Sequence, residues 1–160
     1  MSGGEIWNKI YNSFSLAYGE PDTLYSGIQS ETILVAIWFE NNLPNEIKGI
    51  SLSYSTRKFR DRNIYIELNC ALKRNNILNN FQQIASLVKF NNGVFKESEI
   101  HMTNDEHTAW LEHYKNSNFP GLEYMFGKDE EGFSIVSIMI YPNFSMPPGY
   151  NEDFFENFKF

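Results

Sequence analysis

Four basic side chains crowd into "RKFRDR", where Arg57, Lys58, Arg60 and Arg62 surround Phe59. Forked guanidinium donors grip phosphates and a phenyl face stacks on a base, so this stretch carries the chemistry of nucleic-acid or phosphate binding. It stands alone. No second basic stretch or glycine-rich loop accompanies it in the sequence, and a single charged turn between strands is ordinarily just solvated.

Histidines His101, His107 and His113 lie near Asp105, Glu106 and Glu112. Two metal ligands share a helix face only when they are three or four residues apart, and His107 and His113 are six apart. The expectation is no metal and no cofactor, with an enzyme built on segment 101–113 as the reading of a different class. The one cysteine, Cys70, falls on the buried side of an alternating strand, where a thiol behaves as a small hydrophobe rather than a nucleophile. Glu130 and Glu131 are consecutive, and nothing in that arrangement separates two carboxylates into an acid and a base.

The remaining set is acidic and aromatic. Asp105, Glu106 and Glu112, then Asp129, Glu130 and Glu131, alternate along the chain with Trp110 and Tyr124. Desolvated rings anchor protein interfaces, and carboxylates around them add speed and selectivity toward a basic partner. These eight residues are the candidate partner-binding set.

What must position them is a string of helices and strands. Ile6, Ile10 and Phe14 follow three-and-four spacing and predict a helix over about 4–18, ended by Gly19 and Pro21. "TILVAIWFE" at 32–40 reads as a strand covered on both faces. "ISLSYS" and "IYIELNC" alternate as a half-exposed antiparallel hairpin, with Ile64, Ile66, Leu68 and Cys70 on one side. A second helix is expected over 76–89, burying Ile77, Phe81, Ile84, Ala85 and Val88, with Gly93 as its cap and a short strand near 93–101. Thr103 and Glu106 fit a capping box, so a third helix is expected through "NDEHTAWLEHYKN". "LEYMF" and "FSIVSIMIY" read as strands joined by the acidic turn "GKDEEG". The tail "YNEDFFENFKF" is expected to fold back and pack Phe154, Phe155 and Phe158.

The order of these elements predicts a single α+β domain over 1–160: a mostly antiparallel sheet of about five to seven strands with helices packed mainly on one face. A chain of 160 residues that is 42% hydrophobic and 16% aromatic has the apolar content for a folded core. No stretch approaches the roughly 18 apolar residues of a membrane span, and one cysteine forms no internal disulfide, so the expected setting is the cytoplasm. The net charge is −7 and uneven: residues 1–90 hold 8 acidic and 9 basic side chains, residues 91–160 hold 12 and 4. Acidity of that kind disfavours nucleic acid and anionic lipid and favours a basic protein. The expectation is a non-enzymatic stoichiometric inhibitor, such as a bacterial immunity protein or antitoxin neutralising a basic toxin domain, for instance a nuclease. A monomer is favoured, and a small acidic secretion chaperone is the alternative.

Overall fold

The computed structural model describes residues 2–29, 32–44, 46–55, 58–59, 62–73, 93–103, 108–150 and 152–157. Helix α1 (Gly3–Tyr18) starts at a capping box in which the Ser2 hydroxyl accepts from the Glu5 amide while the Glu5 carboxylate accepts from the Ser2 amide. Its stripe of Ile6, Ile10 and Phe14 is buried, and Gly19 at φ 82° ends it. The helix predicted over about 4–18 forms.

Strands β1 (Thr23–Gln29), β2 (Thr32–Phe39), β3 (Ile47–Ser55), β6 (Ile66–Leu72), β7 (Val94–Thr103), β8 (Thr108–Asn116), β9 (Leu122–Asp129) and β10 (Gly132–Ile140) build one antiparallel sheet in the order β1-β2-β3-β6-β10-β9-β8-β7. A separate two-stranded ladder, β4 (Lys58–Phe59) with β5 (Arg62–Asn63), holds the described part of the basic stretch. Residues opposite one another in a ladder share a face, so the registers sort the side chains. One face carries Trp38, Ile50, Leu52, Ile66, Leu68, Cys70, Val136, Ile138, Tyr124 and Phe126. Helix α1 lies on it, with Phe14 edge-on to Trp38 at 5.6 Å and the Trp38 indole donating to the Gly19 carbonyl at 2.9 Å. Cys70 is buried there, as its alternation predicts.

The expected α+β layering is corrected. The sheet has eight strands, more than the five to seven expected, and α1 is the one α-helix among the described residues. The helix expected over 76–89 lies outside them. The third expected helix is strand β8, and Thr103, expected as its cap, ends β7. The physical reason is visible in β8 itself, where Trp110, Glu112, Tyr114 and Asn116 alternate with Ala109, Leu111, His113 and Lys115. Glu112, His113 and Asn116 are buried, so polarity hides the alternation of the strand, and the helix expected from the capping-box pattern at Thr103 and Glu106 has no apolar stripe behind it.

Ile64 departs from the face expected of it. The chain breaks between β5 and β6, with the Tyr65 amide donating to the Ile140 carbonyl at 2.9 Å, and Ile64 joins Met139 and Tyr141 on the sheet's second face. The tail folds back as a 3-10 segment, Glu152–Asn157. Phe155 is fully buried beside Phe144, and Phe154 stacks on Phe119 at 5.0 Å. Phe158 lies outside the described residues. Among those residues no helix is long and apolar enough to cross a membrane.

Candidate binding site

At the β9–β10 turn the Asp129 carboxylate accepts from the Glu131 amide at 2.9 Å, and Gly132 adopts φ 124°, which closes the hairpin. Glu130 and Glu131 are exposed at its tip. Beneath the tip is a cleft of about 560 Å³ whose lining includes Met102, Trp110, Asp129, Glu130 and Glu131. Three of the eight sequence-derived candidates, Asp129, Glu130 and Glu131, therefore share one cavity, which Trp110 borders while its register with Lys128 turns its ring to the helix-side face.

The neighbouring residue Lys128 points to the helix-side face, where it pairs with the buried carboxylate of Glu112. The Tyr114 hydroxyl donates to the same carboxylate at 2.6 Å. Lys128 also sits over the rings of Trp110 and Phe133, 5.8 and 5.9 Å from their centroids. Burial, reinforced by Glu112, pushes the Tyr114 hydroxyl well above the ordinary phenol range, so Tyr114 stays a donor at neutral pH. On the adjoining edge strand Glu99 binds Lys96 and lies 2.6 Å from His101, and its carboxyl is held below the usual range chiefly by Lys96. His101 in turn meets Trp110 edge-on at 5.8 Å. Glu112 and Lys128 thus brace the base of the acidic hairpin.

Of the other candidates, Tyr124 is 1% exposed and belongs to the core, with the Asn116 amide 3.3 Å from its hydroxyl. Glu112 is likewise buried. Neither presents a contact surface. Asp105 and Glu106 lie outside the described residues. His101 and His113 fall on opposite faces of the sheet by register, and His107 is outside the described residues. His113 is instead buried 3.5 Å from Glu123. Among the described residues no group of three or more His, Cys, Asp or Glu comes together as a metal site.

A second cavity, also about 560 Å³, crosses the face opposite α1. Its floor is made of small residues that the registers set side by side: Gly49 against Ala71, and Ser51 against Asn69 against Ser137. The Ser137 hydroxyl donates to Asn69 Oδ1 at 2.5 Å. Ile37 and Phe39 bound it at one end, Leu111 and Met125 at the other. Sequence reading missed this groove because serine, asparagine and alanine on alternating positions look like a solvated strand face until the register aligns them. The chain matches no family model, no curated protein and no solved structure.

Proposed function

We propose that this chain is a stoichiometric protein-binding inhibitor, an immunity protein or antitoxin, that neutralises a basic toxin domain through the cleft under the β9–β10 hairpin. The observation that carries the reading is the gathering of Asp129, Glu130 and Glu131 at one cavity that is also lined by Leu111 and by Met102, which is 47% exposed. An apolar wall beside carboxylates suits a Lys or Arg side chain, whose stem packs on Met102 and Leu111 while its head meets the charge. The lysines of this half of the sheet are already engaged: Lys96 with Glu99, Lys115 with Glu97 at 3.4 Å, and Lys128 with Glu112. Glu130 and Glu131 make no ion pair among the described residues, so their charge is available to a partner. A standard interface of about 1,600 Å² around this cleft would block a catalytic surface without turnover. The same proposal places the chain in the cytoplasm, since Cys70 alone forms no internal disulfide.

Neutralisation tests it. The product of the adjacent reading frame is expressed with the wild-type chain and with an Asp129→Lys, Glu130→Lys, Glu131→Lys variant. Rescue of growth by the wild type and not by the variant, with a 1:1 complex that the variant forms more slowly and with less salt dependence, is expected. Rescue by both, or by neither, sinks the reading.

A further inference from the structure

The acidic cleft and the groove across the sheet are one surface. Leu111 and Ile135 line both cavities, and Gly127, which registers with each of them, lies between. We propose, resting on the protein-binding reading above, that the partner is held as an extended cationic and apolar segment. It lies across the strands, with apolar side chains in the groove and a basic residue at Asp129, Glu130 and Glu131.

Length, shape and charge each point to this occupant. The groove runs from Ile37 and Phe39 on β2 to Leu111 on β8, six neighbouring strands. At about 4.8 Å between strands that is about 24 Å, the reach of about seven extended residues. The floor of Gly49, Ser51, Ala71 and Ser137 allows a backbone to approach closely. Ser137 and Asn69 bond each other and the Asn69 amide reaches Ser51 at 3.5 Å, so the floor is a polar network whose remaining hydroxyl capacity suits a peptide backbone better than a hydrocarbon chain. The walls are apolar: Ile37, Phe39, Leu111, Met125 and Ile135. Among the described residues Glu67 is the ionisable side chain lining the groove, and the cleft it opens into is lined by Asp129, Glu130 and Glu131. Lys128 also lines the cleft, with its ammonium bound to Glu112. Glu130 and Glu131, which make no ion pair among the described residues, set the sign of the path, and the segment that fits is positive.

The probe is a synthetic nine-residue peptide of alternating Leu and Lys, titrated into the full chain. Lys-only and alternating Leu/Ser peptides of the same length are the controls. Methyl NMR of Ile37 and Ala71 reads the groove, and methyl NMR of Met102 reads the cleft. The Leu/Lys peptide is expected to perturb both, the Lys-only peptide the cleft alone, and the Leu/Ser peptide to bind at least tenfold more weakly. Filling the floor by Ala71→Leu, or on the next strand by Ser51→Phe, is expected to weaken Leu/Lys binding at least tenfold without changing its salt dependence. Two substitutions on different strands guard against one that misfolds, and circular dichroism checks each. Equal binding of the Leu/Ser peptide, or undiminished binding by both folded variants, overturns the proposal. Toxin neutralisation separates the two levels. A groove-filled variant that still neutralises removes the groove and leaves the inhibitor reading, whereas groove binding of the peptide without any neutralisation removes the inhibitor reading and leaves the groove.

Discussion

The buried carboxylate of Glu112 has Lys128 as its counter-charge and the Tyr114 hydroxyl as a hydrogen-bond donor. Removing the cation alone strands the charge, which costs more than removing both. Lys128→Met is expected to destabilise the fold by about 2–4 kcal/mol, and adding Glu112→Gln to recover a good part of that. Urea unfolding of the two single variants and the double reads this, and additive losses would show that the pair is not coupled. Cys70 tests burial on the other half of the sheet. Burial pushes its thiol from 9.0 up to about 12, so the folded state holds the proton that the unfolded chain releases. Its contribution is complete below 9.0 and is lost as pH rises toward 12, at up to about 1.4 kcal/mol per pH unit. Melting temperatures at pH 8 and pH 10 are expected to fall further for the wild type than for Cys70→Ala. Equal falls would mean that the thiol is not shielded. The same burial predicts that alkylating reagents reach Cys70 only after unfolding.

At the scale of elements, the sequence reads well wherever polarity and burial agree. In α1, β3 and β6 the apolar positions are the buried ones, so the helical period and the alternation announce themselves, and the turn at 127–132 carries its own chemistry. β8 is the failure. Its buried Glu112 and His113 owe their place to Lys128 and Glu123, partners on β9 that no local pattern reveals. The site was half legible for the same reason: Trp110 and the acidic turn stood out by type, while the groove depends on registers between strands up to 68 residues apart, as Asn69 and Ser137 are. Turns can be tested without reference to function. Gly121 holds φ 85° between β8 and β9, and a Cβ there would stand 2.5 Å from the backbone of Phe144. Its carbonyl accepts from the Tyr141 amide at 2.8 Å, fixing the segment after β10 against the turn. Gly121→Ala combines a left-handed strain with a backbone clash and is expected to cost about 2–4 kcal/mol by thermal denaturation. A loss under about 0.5 kcal/mol would mean that the two segments part easily.

For the whole molecule, the order of the strands along the chain is kept as two halves of one sheet. The strands drawn from residues 23–72 form one contiguous half of the sheet, β1-β2-β3-β6, and those from residues 94–140 form the other, β10-β9-β8-β7. On the second half Glu97, Glu99, Glu112, Glu123, Asp129, Glu130 and Glu131 stand against Lys96, Lys115 and Lys128, so its described residues are net acidic, with Glu130 and Glu131 fronting the cleft. The halves meet along the β6–β10 ladder, and the tail ties them a second time. Phe155 is buried against Phe144, Phe154 stacks on Phe119, and Glu156 reaches Lys9 on α1 at 3.0 Å. The exposed ion pair adds little, so the rings must supply the holding energy. A buried Phe cut to Ala costs about 3–5 kcal/mol, and at about 2–4 °C per kcal/mol for a chain of this size Phe155→Ala is expected to lower the melting temperature by roughly 10 °C. Deleting residues 151–160 should lower it at least as far, while Glu156→Gln should change it by less than about 2 °C. Calorimetry without any partner separates anchoring from docking: an unchanged melting temperature in the truncated chain would mean that the phenylalanines serve a partner rather than the fold.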